Sequence, residues 1–287
     1  MIKKIFLNTL GVIAIILLVI VQIGANFVQT RYQLTYLSPW IPVIINSCII
    51  LFLGFLVLFN FTHAKKYRYL VSGLTLLCLI IFVGYSSQTK AIKANNNIYS
   101  LSPNKRDIFC LKKDGEKLTY YQSYYLLFGK MREVLPYNVA KVGNPTWITD
   151  DVAAVTYQDT EGHLHIYLGT YGHRGSSISY NYATSLTRGK WENSKAKFSL
   201  SNILGDLKIT DNGKTTNYSS DNIVQFGTSG VVLTDENSAK YAYVIPEEAR
   251  YESDGTPKNL QDIKLLSTKP NLKEMKVLKL SYKEGEK

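Results

Sequence analysis

Three of the chain's four histidines fall within eleven positions, in the stretch EGHLHIYLGTYGHRGSS at residues 161–177. His163 and His165 form an H-x-H pair. On a β-strand, side chains alternate, so residues i and i+2 share a face. Two imidazoles placed in this way can fill two corners of a zinc site. Glu161 has the same parity and is the nearest candidate for a third ligand. His173 lies eight residues beyond His165, roughly 26 Å away along an extended strand at about 3.3 Å per residue. That is too far to reach an ion whose ligands all sit about 2 Å from it.

Read as a hairpin, residues 151–171 take Asp159-Thr160-Glu161-Gly162 as a four-residue loop. Ala153, Val155 and Tyr157 then share a core face with Leu164, Ile166 and Leu168. Ala154, Thr156, Gln158, His163, His165 and Tyr167 occupy the opposite, polar face. Three uses of that face remain open: a solvated surface, a contact surface for a partner, or a metal site made by His163, His165 and Glu161. His173 and Arg174 stand between glycines in an expected exposed turn, where binding residues tend to reside, and are candidates for ligand or partner contact.

Other catalytic patterns are absent. No Gly-x-Ser-x-Gly elbow accompanies Ser176 or Ser177, and no spacing proposes a triad. Asp150 and Asp151 are adjacent, and neighbouring strand residues point to opposite faces. Neither H-E-x-x-H, Walker A nor a dinucleotide fingerprint occurs, so no cofactor is implied.

The elements that must position these residues fall into two contrasting parts. The chain has 287 residues and a formal net charge of +11. Residues 1–85 carry no Asp or Glu and six basic residues, Lys3, Lys4, Arg31, Lys65, Lys66 and Arg68. The remainder holds 27 basic against 22 acidic residues, a net of +5. No basic stripe interleaved with aromatics appears, so a nucleic-acid partner is not expected.

Three charge-free apolar runs, Ile5–Ala25, Trp40–Phe61 and Tyr69–Tyr85, match the roughly 17–25 residues a helix needs to cross a bilayer. Only helices or closed barrels satisfy their backbone in lipid, and runs this continuously apolar fit helices. Trp40, Tyr69 and Tyr85 mark run ends, where amphipathic rings favour the interface. Lys3 and Lys4 precede the first run, and Lys65, Lys66 and Arg68 lie between the second and third. The positive-inside rule therefore places the N-terminus in the cytoplasm and residues 86–287 outside it. The first run also has a second reading, as a secretory signal, although its apolar stretch is long and its exit residues fit poorly. The composition fits a multi-pass protein of a bacterial plasma membrane.

No Asp, Glu, Lys, Arg or His lies within the runs, which argues against a transport pathway of their own. Asn46 is expected to hydrogen-bond a neighbouring helix. Cys48 and Cys78 fall inside the runs, leaving Cys110 as a lone thiol on an apolar strand, read as buried and structural. Residues 86–103 read as a polar stalk. From 104 to 287 the pattern is one of short strands with period two, among them DVAAVTYQ, HLHIYLGTY, SISYNYATS, KAKFSLS, DLKIT, NIVQFG, GVVLT and KYAYVIP. Asp114-Gly115 and Asp211-Asn212-Gly213 mark turns between strands. The Tyr/Leu run near 120–128 reads as a strand, with a helix as its alternative. Trp191 follows a glycine turn and reads as a core aromatic. The tail is expected to end in one strand.

The expected architecture is thus membrane-anchored: three transmembrane helices over 1–85, a stalk over 86–103, and an all-β, sandwich- or barrel-like extracytoplasmic domain over 104–287. Its expected partners are the lipid bilayer and a membrane protein. The expected role is a non-enzymatic binding or accessory module, such as a sensor, transport accessory or protection factor. The alternative is a membrane-tethered, metal-assisted hydrolase.

Overall fold

The apolar runs are helices, and the first and third extend past the hydropathy boundaries. The computed structural model describes residues 2–61, 65–89, 97–124, 127–172, 183–203, 206–246 and 264–283. Helix α1 spans Ile2–Tyr32, α2 Trp40–Phe61 and α3 Lys65–Ser87. All three are long and apolar enough to cross a membrane. Most of their Leu, Ile, Val and Phe side chains stay uncovered by protein, as suits segments whose solvent is hydrocarbon.

Polar side chains inside the spans are used between helices. Gln22 Nε2 donates to Asn46 Oδ1 at 2.7 Å, the inter-helix bond expected for Asn46. Asn60 Nδ2 donates to Asn8 Oδ1 at 2.9 Å. Gly54 lets α2 meet α3 closely, since a Cβ there would lie 2.4 Å from Thr75 Cγ2. A single glycine achieves the close approach without a GxxxG pair.

The chain divides into two compact units. The first comprises Met1–Asn97, Lys112–Asp114 and Tyr121–Glu133; the second comprises Ile98–Leu111, Gly115–Tyr120 and Val134–Lys287. In the first, a short strand β1 (Leu34–Tyr36) occupies the connection between α1 and α2. Strand β2 (Ile98–Leu101) belongs to the second unit, and the residues of β3 (Ile108–Asp114), β4 (Lys117–Tyr124) and β5 (Phe128–Val134) are divided between the two. β1 pairs antiparallel with β5. The Tyr/Leu run is a strand over its described residues, and Cys110 is fully buried on β3. The segment read as a stalk is not all linker, because β2 falls within it and pairs with β3.

The second unit is antiparallel throughout its described sheets. Strands β6 (Val139–Val142) and β7 (Thr146–Thr149) share one edge of β8 (Val152–Asp159), and β9 (Leu164–Thr170) takes the other. Nine further strands form one sheet. They are β10 (Gly189–Asn193), β11 (Phe198–Ile203), β12 (Asp206–Asp211), β13 (Lys214–Tyr218), β14 (Ile223–Phe226), β15 (Gly230–Asp235), β16 (Ser238–Val244), β17 (Lys264–Thr268) and β18 (Val277–Lys283). Their order is β13-β12-β11-β10-β18-β17-β16-β15-β14.

This sheet curls into a nearly closed barrel around an interior that includes Trp191, Leu200, Ile209, Leu233, Tyr243 and Leu280. Alternation assigns the two faces: Val231 and Leu233 point inward, while Val232 joins Ala242, Val244 and Leu266 on the outside. That outer face packs on Val152, Ala154, Ile166 and Leu168 of the β8–β9 hairpin. The hairpin's other face, with Ala153, Val155, Tyr157 and Tyr167, packs on Phe109, Leu111, Leu118 and Tyr120. The β8–β9 hairpin therefore lies between two cores and is buried on both sides.

Two strand expectations are corrected. The last residues of SISYNYATS belong to a helical turn, α4 (Ala183–Leu186), and the residues before Ala183 lie outside those described. The tail forms two strands rather than one, β17 and β18, antiparallel on either side of Pro270. Proline cannot donate to a ladder, so it occupies the connection. The turns behave as read: Asp211 pairs with Lys214 across Asn212 and Gly213, both at positive φ, a type I′ arrangement.

Candidate functional site

The histidine hairpin is one residue out of the register that a four-residue loop would give. Asp159 N donates to His163 O at 3.0 Å, so the loop is Thr160-Glu161-Gly162. Gly162 adopts φ +96°, a left-handed conformation open to glycine at little cost. A three-residue loop closed by a glycine of positive φ is a common hairpin connection. The observed pairs are Gln158 with Leu164, Tyr157 with His165, Thr156 with Ile166 and Val155 with Tyr167. A slip of one residue exchanges the faces. His165 and Tyr167 therefore lie with Tyr157 and Val155, whereas Leu164, Ile166 and Leu168 lie with Thr156 and Ala154.

The consequence for His165 is burial. Only 5% of it is exposed, and its ring stacks on Tyr137 at 4.0 Å and on Tyr157 at 5.0 Å between centroids. Its Nε2 is 2.8 Å from Asp159 Oδ2. An ionised carboxylate only accepts, so the imidazole N–H donates. His163 is a third exposed, and its Nδ1 lies 3.3 Å from Asp159 Oδ2 and 3.6 Å from Glu161 Oε2. Glu161 itself is well exposed at the loop tip.

Asp159 organises the cluster. Its Oδ1 accepts the backbone N–H of His163 at 2.8 Å and that of Glu161 at 3.0 Å. Asp and Asn cap local N–H groups in this way at turns. Burial by itself raises the carboxyl's pKa. The hydrogen bond and charge of His165, with the two backbone N–H groups, outweigh burial and hold the pKa at about 2. The carboxylate stays ionised and committed to its own hairpin.

Beside the cluster a polar recess of about 310 Å³ is lined by Tyr137, Asn138, Asp159, Glu161, His163 and Asn237, among others. Tyr137 forms one wall and leaves 41% of its surface exposed. Asn138 also fixes the loop, its carbonyl accepting Thr160 N–H at 3.0 Å. Asn237 comes from the β15–β16 turn, where Glu236 and Asn237 both have positive φ.

The predicted site residues thus come together only in part. His163, His165 and Glu161 gather around Asp159, which sequence reasoning placed in the loop without a role. A loop-opening Asp followed by N–H groups two and four residues on was the available signal. Tyr137 and Asn237 come from distant segments and carried no local signal. His173 and Arg174 lie outside the described residues. A metal ion at the hairpin tip would draw on His163, Asp159 and Glu161. Among the described residues, however, no three His, Cys, Asp or Glu side chains converge in a metal-ready group.

No protein-family model matches this chain, and no curated protein matches it.

Proposed function

We propose that the chain is a membrane-anchored, non-enzymatic binding or accessory module. Three helices hold its β-rich domain on the extracytoplasmic side of the plasma membrane, and the recess at the β8–β9 tip contacts a membrane-protein partner or ligand. One observation carries this reading. Asp159 accepts contacts from Glu161 N, His163 N, His163 Nδ1 and His165 Nε2. Its charge is used to build an open polar recess and is not left free as a base or nucleophile. The spans support an anchoring role, since residues 6–30, 40–60 and 69–87 contain no Asp, Glu, Lys, Arg or His. The lysines at residues 3, 4, 65 and 66 support a cytoplasmic N-terminus.

The test is crosslinked co-purification of the full-length chain from its own membrane in mild detergent, alongside Glu161→Lys. A stoichiometric partner retained by the wild type and lost by the variant is the expected result. A chain recovered alone, or a partner indifferent to charge reversal in the recess, counts against the reading.

A second reading, a membrane-tethered metal-assisted hydrolase, rests on the spacing around His163 Nδ1. Its 3.3 and 3.6 Å neighbours are more distant than in a tight charge-assisted hydrogen bond, about 2.7–2.9 Å. They are near the roughly 3.3 Å that separates donors sharing one tetrahedral zinc ion with bonds of about 2.0–2.1 Å. Zinc that co-purifies stoichiometrically and disappears in His163→Ala with His165→Ala would move the chain to this reading.

A further inference from the structure

We propose that strand β5 is itself a membrane-surface element, resting in the headgroup layer where α1 ends and α2 begins and contacting the phosphates of anionic phospholipids. Within the first unit, chain connectivity sets how far β1 can lie from the ends of α1 and α2. β1 begins two positions after α1 ends at Tyr32, and Trp40, where α2 begins, is four positions after Tyr36. At about 3.3 Å per residue, β1 is therefore within roughly 7–13 Å of both helix ends. The 31 residues of α1 extend about 46 Å at 1.5 Å each. That exceeds a hydrocarbon core of about 30 Å, so the helix leaves the core before Tyr32.

β5 is held at the same depth by its ladder with β1. Leu34, Thr35 and Tyr36 face Lys130, Gly129 and Phe128, and Leu37 N donates to Leu127 O at 2.9 Å. The joint is well packed. Tyr36 stacks on Phe128 with centroids 5.0 Å apart. Gly129 admits buried Leu37 where a Cβ would lie 2.6 Å from Leu37 Cδ2. Lys112 Nζ donates to the Tyr36 carbonyl at 3.1 Å.

The surface left open has interfacial composition. Leu127 and Met131 are 44% and 55% exposed, and Tyr32 at the end of α1 is 58% exposed. At the end of α1 and on β3 and β5, Arg31, Lys112, Lys113, Lys130 and Arg132 outnumber Asp114 and Glu133, a net of +3. Lys130 and Arg132 project from the face of β5 opposite Met131, where Arg132 also donates to Gln122 Oε1 and Tyr124 Oη. Apolar side chains with aromatic rings and long basic stems suit the bilayer boundary, where the stems lie along apolar surface and the charges meet phosphate.

The test uses the full chain in lipid vesicles, with Cys48→Ala and Cys78→Ala as background; Cys110 is fully buried and stays. An NBD fluorophore is attached at Met131→Cys, and in a second chain at Leu127→Cys. The quencher is a nitroxide carried on the lipid headgroup, and the interfacial reference is the same label at Trp40→Cys. Both labels are expected to be quenched comparably to the reference. Adding phosphatidylglycerol to phosphatidylcholine vesicles is expected to strengthen quenching about twofold. Lys130→Gln with Arg132→Gln should abolish that gain. Labels as open to aqueous iodide as free NBD-cysteine, and untouched by the lipid nitroxide, overturn the proposal. Quenching that ignores phosphatidylglycerol overturns its phosphate contact.

Discussion

Replacing Asp159 by Asn tests the organisation of the hairpin tip most directly. The side chains have nearly the same size, but Asn removes the charge and turns one acceptor into a donor that faces donors. Three contacts are shorter than a 3.2 Å limit for good geometry: those from His163 N, Glu161 N and His165 Nε2. Hydrogen bonds to charged groups contribute about 1.5–3 kcal/mol each, and Asn retains one carbonyl acceptor. A net loss of about 2–4 kcal/mol follows. At about 2–4 °C per kcal/mol for a domain of this size, the melting temperature falls by roughly 5–15 °C. The assay is a thermal melt of the full-length protein in detergent followed by tryptophan fluorescence, with hydrogen exchange of the β8 and β9 amides reporting the local effect. The pH dependence adds a second check. The folded carboxyl titrates at about 2 and the unfolded one near 3.8. The stabilisation is therefore fully present above the unfolded value and is lost as pH falls through the folded one. The gap between wild type and variant should narrow from about pH 4 downward. A variant that melts with the wild type at neutral pH, or a gap that stays constant on acidification, refutes the reasoning.

Three other perturbations probe separate parts of the fold. Gly162→Ala forces a Cβ into φ +96° and should lower stability by about 1–2 kcal/mol, read in the same melt. Asn46→Leu removes the acceptor of Gln22. It should weaken the α1–α2 contact by about 1 kcal/mol, measured as unfolding at a lower fraction of harsh detergent. Gly54→Ala places a Cβ 2.4 Å from Thr75 Cγ2. It should destabilise the helices in that titration, and adding Thr75→Ala should recover part of the loss, because the methyl is then gone.

What could be read from the sequence, and what could not, follows from how far away each determinant lies. The helices were legible because lipid admits only helices or closed barrels, and continuous, non-alternating apolar runs fit only the first. Their ends were less so: NFVQTRY is polar enough to end a hydropathy run at Ala25, yet α1 continues to Tyr32. β1 was invisible, since three residues acquire strand character only from a partner more than ninety positions later. The turns at Asp114-Gly115 and Asn212-Gly213 were legible from their residue types, but strand order and barrel closure depend on pairings between distant segments. The histidine site failed at one specific step. DVAAVTYQ carries small apolar residues at both parities, because β8 is buried on both faces. Alternation therefore held no information about register. The remaining local evidence was Gly162, whose left-handed conformation closes a three-residue loop where four had been assumed. That one residue moves His165 from a solvated face to a stack between Tyr137 and Tyr157, and it brings His165 to Asp159. In a hairpin packed between two cores, the loop glycine is thus stronger evidence of register than the hydrophobic pattern. The placement of any imidazole on such a strand should be argued from the turn first.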